Sequence, residues 1–163
     1  MSKKMNSCIS LYKEQVNKSD IQKTYMFLLK YVMQVKASFE KAFSKEYSCG
    51  YVSPGHMDYS YFSFTNEYLR GKRLRFGIVL NHSEMRFELW LLGQNKEIQN
   101  RYWDLLKTST WNEGCTKKPK YAELEIILVD NPDFENIDAL TADIINRAVE
   151  EANEVMVYLK KFD

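Results

Sequence analysis

Apolar and polar residues alternate with period two through residues 73–92, and this alternation is the strongest pattern in the chain. Leu74, Phe76, Ile78 and Leu80 share one face of the run Arg73–Asn81. Met85, Phe87, Leu89 and Leu91 do the same in Glu84–Leu92. The two runs flank His82-Ser83 and read as a β-hairpin. A two-residue loop pairs Asn81 with Glu84, Leu80 with Met85, Ile78 with Phe87, Phe76 with Leu89 and Leu74 with Leu91. Both apolar rows then lie on one side, whereas a one-residue slip puts half of them in water. His82-Ser83 is not the favoured Asn-Gly turn pair, so a four-residue loop of the same phase remains open. On the reverse face the two-residue register sets Arg75 opposite Trp90, within reach of a cation–π contact, Gly77 opposite Glu88, and Val79 opposite Arg86. Gly77 leaves room there for a shallow polar depression. Ordinary half-exposed sheet cover is the commoner reading of such a face.

The remaining pattern is mostly helical. Met5, Ile9, Tyr12 and Val16 predict a short amphipathic helix over 4–17. A second helix, about 20–46, carries Ile21, Tyr25, Leu28, Val32, Val35, Phe39 and Ala42 at spacings of three and four; Ser19 with Gln22, or Asp20, caps it. Residues 51–55 read as a short extended piece around Pro54, and Met57–Phe64 as a strand. Neither face of that strand is cleanly apolar, which suggests burial on both sides or an aromatic-lined pocket. Residues 65–72 form a polar connection. After the hairpin, Asn95 caps a helix over about 96–108, residues 109–120 form a loop, 122–130 a further strand, and 137–160 a last helix. In the 122–130 strand Leu124, Ile126 and Leu128 face inward while Glu123 and Glu125 share the other side. The expected fold is α+β: a single sheet of four to five mainly antiparallel strands, with the 73–92 hairpin at its centre and long helices packed on it. No repeat or linker breaks residues 1–163, so one domain is expected.

Composition sharpens this only in places. Of 163 residues, 45% are hydrophobic and 28% charged, as in an ordinary globular protein. No apolar run reaches the roughly 20 residues of a bilayer span. The start lacks a secretory h-region, and Cys8, Cys49 and Cys115 are odd in number and scattered. A cytoplasmic protein with reduced thiols and no membrane association is expected. The formal net charge of +1 hides an asymmetry. Residues 1–120 hold 20 Lys/Arg against 11 Asp/Glu, and residues 121–163 hold 3 against 11. An acidic helix on a basic body accounts for this split, as does a basic binding surface.

Candidate chemistry is sparse. His56, Asp58 and Glu88 are candidates for acid–base catalysis in a cleft, should they converge. Tyr59, Tyr61, Arg75, Arg86 and Trp90, around Glu88, are candidates for a binding face. The basic runs Arg70–Arg75 and Lys117–Lys120, with tyrosines and Trp90 for stacking, make a smaller case for nucleic acid. That case requires the two runs to share a surface. No phosphate loop, zinc spacing or nucleophile elbow is present, so neither a metal nor a cofactor is expected. A protein partner or a homodimer remains open.

Two resemblances bear on function. A helix, a three-stranded meander, a helix and a strand resemble the core order of restriction-endonuclease-like nucleases. That family implies an acid and a lysine two apart on the third strand. Here Glu88-Leu89-Trp90 stands in that place, with tryptophan instead of lysine, so the core order is at most a degenerate one. Gly55-His56-Met57-Asp58 with Tyr61-Phe62, Asn81-His82 with Met85-Arg86-Phe87-Glu88, and Gly93-Gln94-Asn95-Lys96 resemble a small uncharacterised bacterial family, a domain of unknown function. That resemblance implies a compact bacterial protein and no particular activity. The leading expectation is a non-enzymatic binding or interaction domain.

Overall fold

A computed structural model describes residues 4–163. Its helices are α1 (Met5–Lys18), α2 (Ile21–Phe43), α3 (Glu67–Gly71), α4 (Lys96–Leu106) and α5 (Ile137–Lys160). Its strands are β1 (Ser48–Cys49), β2 (Tyr59–Thr65), β3 (Leu74–Asn81), β4 (Arg86–Gly93) and β5 (Leu124–Asp130). The chain divides inside α2 into two compact units, one ending at Tyr31 and the other running Val32–Asp163.

The first unit holds α1 and the start of α2. Its apolar stripe has the expected helical spacing, yet α1 buries none of its residues, and Met5 and Tyr12 are each 71% exposed. The second unit holds the sheet. Strand order is β1-β2-β3-β4-β5 with every pairing antiparallel, which confirms the α+β class. One face carries the main core: Phe62 and Phe64 from β2, Phe76, Ile78 and Leu80 from β3, Phe87, Leu89 and Leu91 from β4, all buried. The Phe39 ring of α2 lies 4.7 Å from Phe64 and 6.0 Å from Phe62, fixing that half of α2 over β2. The buried α5 row Leu140, Ile144, Ala148, Ala152, Val155 and Leu159 keeps the predicted period.

The hairpin keeps its phase but not its predicted pairing. Asn81 pairs with Arg86, Leu80 with Phe87, Ile78 with Leu89, Phe76 with Leu91 and Leu74 with Gly93. The loop therefore spans His82–Met85. Asn81 Oδ1 accepts from the Glu84 N–H (3.1 Å), and Met85 takes a left-handed φ of 49° to close the turn. A shift of two residues keeps the strand side chains on their expected faces, but Met85, expected opposite Leu80 in the core row, lies in the turn instead. The shift changes the reverse-face partners: Arg75 lies across from Leu92, Gly77 from Trp90, and Val79 from Glu88. The Arg75–Trp90 stack is thus replaced, and the space at Gly77 is bordered by Leu92 and Tyr61 instead of Glu88.

The connection 65–72 contains α3, capped by Asn66, whose Oδ1 accepts from the Leu69 N–H at 2.9 Å. Asn95 caps α4 in the same way through the Ile98 N–H at 3.0 Å. Asn95→Ala leaves that N–H without its cap and should cost about 1 kcal/mol in urea unfolding. Asn95→Ser should recover most of the loss.

Candidate functional site

The reverse face of the sheet is built from alternate residues of three strands. Tyr59 and Tyr61 project from β2, Val79 from β3, and Glu88, Trp90 and Leu92 from β4. Val79, Trp90 and Ala122 form a small buried cluster there, with Tyr59, Tyr61 and Leu92 packed against it. Above this cluster lies a hollow of about 480 Å³. Its aromatic wall is Tyr59, Tyr61, Trp90 and Tyr121. His56 and Asp58 line it on one side, and Arg75, Leu92, Gly93, Gln94 and Gln99 elsewhere. Tyr59 meets Trp90 edge-on at 4.8 Å, and Tyr121 stacks nearly parallel to Trp90 at 6.4 Å. Trp90 is only 4% exposed and forms the floor, while Tyr121 is 47% exposed and forms the rim.

Local backbone chemistry places the polar groups. Gly55 has φ 70°, and a Cβ there would collide with the Tyr59 carbonyl oxygen, so this turn needs glycine. Met57 follows at φ 63°. Asp58 Oδ1 then accepts from the N–H groups of His56 (2.8 Å) and Tyr59 (2.7 Å). These two bonds, His56's first, hold the carboxyl below the usual carboxylate range. Ser60 Oγ donates to the Pro54 carbonyl at 2.7 Å, which leaves it to accept from His82 Nε2 at 2.8 Å. His82 is therefore tied to β2 and is not a free turn residue; burial lowers its pKa, against a weaker pull from Asp58.

Glu88 sits beneath this surface, 1% exposed. Its Oε2 accepts from Asn81 Nδ2 (2.8 Å) and Arg86 Nε (3.3 Å), and its Oε1 from Trp90 Nε1 (3.2 Å). Glu125, across β4–β5 from Trp90, has its pKa raised by burial and then by Glu88, with Arg86 opposing. Burial likewise raises Tyr59, helped by Glu125 and Glu88. Of the sequence-predicted residues, His56, Asp58, Tyr59, Tyr61, Arg75 and Trp90 border one hollow. Glu88 and Arg86 do not line it; they act through the edge of Trp90.

A second hollow of about 450 Å³ adjoins the first and shares Arg75, Leu92 and Gln94 with it. Its other lining includes Arg70 and Arg73. The second basic run reaches the same surface: Lys118 Nζ bonds Gln99 Oε1 at 3.4 Å, and Lys120 Nζ lies 5.0 Å above the Tyr121 ring. Cys49 stays a poor nucleophile, its thiol pushed up to about 11 by burial and Glu40.

Four contributors escaped the sequence reading. Tyr121 ends the basic loop, and its distance in sequence from Trp90 hides their proximity. Gln94 and Gln99 flank the Asn95 cap of α4; Gln94 entered only through the family pattern, and Gln99 only as part of the 96–108 helix. Glu123 read as an outward strand residue; it is 0% exposed, and both its oxygens accept from the Gly93 N–H, at 3.3 and 3.0 Å.

Among the described residues no group of three or more His, Cys, Asp or Glu could hold a metal ion, and no helix is long and apolar enough to cross a membrane. No curated protein matches the chain, and no solved structure does. A family model described as a domain of unknown function, DUF7000, matches residues 5–159, and the chain belongs to that family.

Proposed function

We propose that this is a non-enzymatic binding domain of the bacterial cytoplasm, and that its site is the aromatic hollow on the reverse face of the sheet. One observation carries the reading. Four aromatic rings, the cationic Arg75 and the anionic Asp58 border a single concavity of about 480 Å³, a size suited to a small ligand or one residue of a larger one. Arg75 is exposed and has no hydrogen-bond or ion-pair partner among the described residues, so its charge is available. The alternative of a small enzyme draws on His56 and Asp58 at the rim. It lacks its third member, because Glu88 is enclosed and its oxygens already accept from Asn81, Arg86 and Trp90. Asp58 Oδ1 is committed to the turn, which suits anchoring better than proton transfer.

The test is a metabolite-mixture screen read at the indole N–H of Trp90 by ¹H–¹⁵N NMR. At least one chemical class should shift that resonance, and Leu92→Trp, which fills the hollow from the strand end, should abolish the shift. If no class perturbs it, the hollow is not a binding site. Turnover of a bound compound would instead favour the enzyme.

A further inference from the structure

Resting on that reading, we infer that the paired hollows bind a nucleotide unit: a planar base in the aromatic hollow, with its phosphate in the adjoining arginine-lined one. The two cavities share Arg75, Leu92 and Gln94, so a ligand crossing from one to the other stays in contact throughout. Their chemistries differ in the way a nucleotide's two ends differ. The first offers ring faces for stacking, Tyr121 being the most exposed. The second offers Arg70, Arg73 and Arg75, and guanidinium forks match phosphate oxygens bidentately.

The remaining groups fit the same ligand. Asp58 Oδ2 has no hydrogen-bond partner among the described residues and can accept from an exocyclic amino group of a base. Lys118 and Lys120 contact Gln99 and Tyr121, which line the first hollow, so both basic runs border the paired hollows, as nucleic-acid binding requires. Of the acids nearby, Glu88 is paired with Arg86, and the exposed Glu125, across β4–β5 from Trp90, lines neither hollow. A purely cationic ligand, which a bare aromatic cage would suit, meets Arg75 at the junction.

Nucleotide units come free or within a single strand, and the experiment separates these. The full chain is titrated with the common nucleoside monophosphates, the matching nucleosides, inorganic phosphate, and a mixed-sequence single-stranded oligonucleotide, reading the Trp90 indole N–H. At least one phosphorylated ligand should bind at least tenfold more tightly than its nucleoside and than phosphate alone. Tyr121→Ala should weaken it about 5- to 100-fold through lost stacking. Arg75→Ala should weaken phosphorylated ligands but not the nucleoside, and Arg75→Lys should recover part of the loss. Both positions are exposed, and unchanged melting temperatures confirm folding. Preference for the oligonucleotide, with affinity falling about sevenfold between roughly 50 and 200 mM salt for two phosphate contacts, identifies a strand. Equal affinity for mononucleotide and oligonucleotide identifies a free nucleotide. If phosphate alone binds as well as any nucleotide, or if only unphosphorylated metabolites shift Trp90, the inference is overturned and the binding reading stands. If nothing shifts Trp90, both fall.

Discussion

Glu88→Ala should destabilise the sheet unit by about 3–5 kcal/mol, the cost of breaking a buried charge network from one side. The carboxylate is 1% exposed and accepts from three donors: Asn81 Nδ2, Arg86 Nε and Trp90 Nε1. Removing it leaves the amide and the indole as buried donors without an acceptor. Arg86 is more exposed and turns to water. Glu88→Gln keeps the size but sets an NH₂ group toward donors, so about half the loss should appear. The measurement is urea unfolding monitored by far-UV circular dichroism, which reads every variant alike. Trp90→Phe removes one of the orphaned donors, so Glu88→Ala should cost less in that background, by about 1 kcal/mol or more, as a double-mutant cycle reads it. A loss under about 1 kcal/mol for Glu88→Ala alone would mean water already reaches the carboxylate.

This network also shows what the residue pattern could and could not convey. Period-two alternation assigned Leu74 through Leu80 and Phe87 through Leu91 to the core face, because burial on one side selects phase. It cannot select between offsets that differ by two. That choice fell to Asn81, whose side chain accepts from the Glu84 N–H, and to the left-handed Met85, both local details without periodic signature. The reverse-face partners moved with it, so Glu88 faces Val79 and binds Asn81 instead of lying beside Gly77. Tyr59, Tyr61, Arg75 and Trp90 were legible as site residues because aromatics and a cation at alternate positions stand out on a strand. Tyr121 and Gln99 were not. Tyr121 reaches Trp90 only through the β4–β5 pairing, whose register shifts at Phe87/Glu88, and nothing local announces that. Glu123 shows the same limit: its strand side was inferred, but β5 begins at Leu124, and just before it the side chain turns to the Gly93 N–H.

Glu123 should make stability fall as pH rises from about 5 to 8. Burial pushes its pKa up to about 7 from an ordinary 4.5, against the N–H groups of Glu123 itself and Gly93 and the charge of Lys118. Between those two values the folded chain binds more protons than the unfolded chain. The contribution is therefore complete below the unfolded value and is lost as pH rises through the folded one, about 3 kcal/mol in all. Other groups titrate nearby: Glu125 adds in the same direction, and His82, whose pKa burial lowers, works in the opposite one. Glu123→Gln isolates the term, because glutamine stays neutral while its carbonyl can still accept from Gly93. Unfolding of the two proteins should give similar stabilities near pH 5, with the variant gaining on the wild type by up to about 3 kcal/mol by pH 8. The gain is tied to the hollow, since the Gly93 that Glu123 holds lines it beside Gln94. A difference between the two proteins that does not change with pH would show that Glu123 titrates as an ordinary solvated carboxyl, and that its bond to Gly93 does not exclude water.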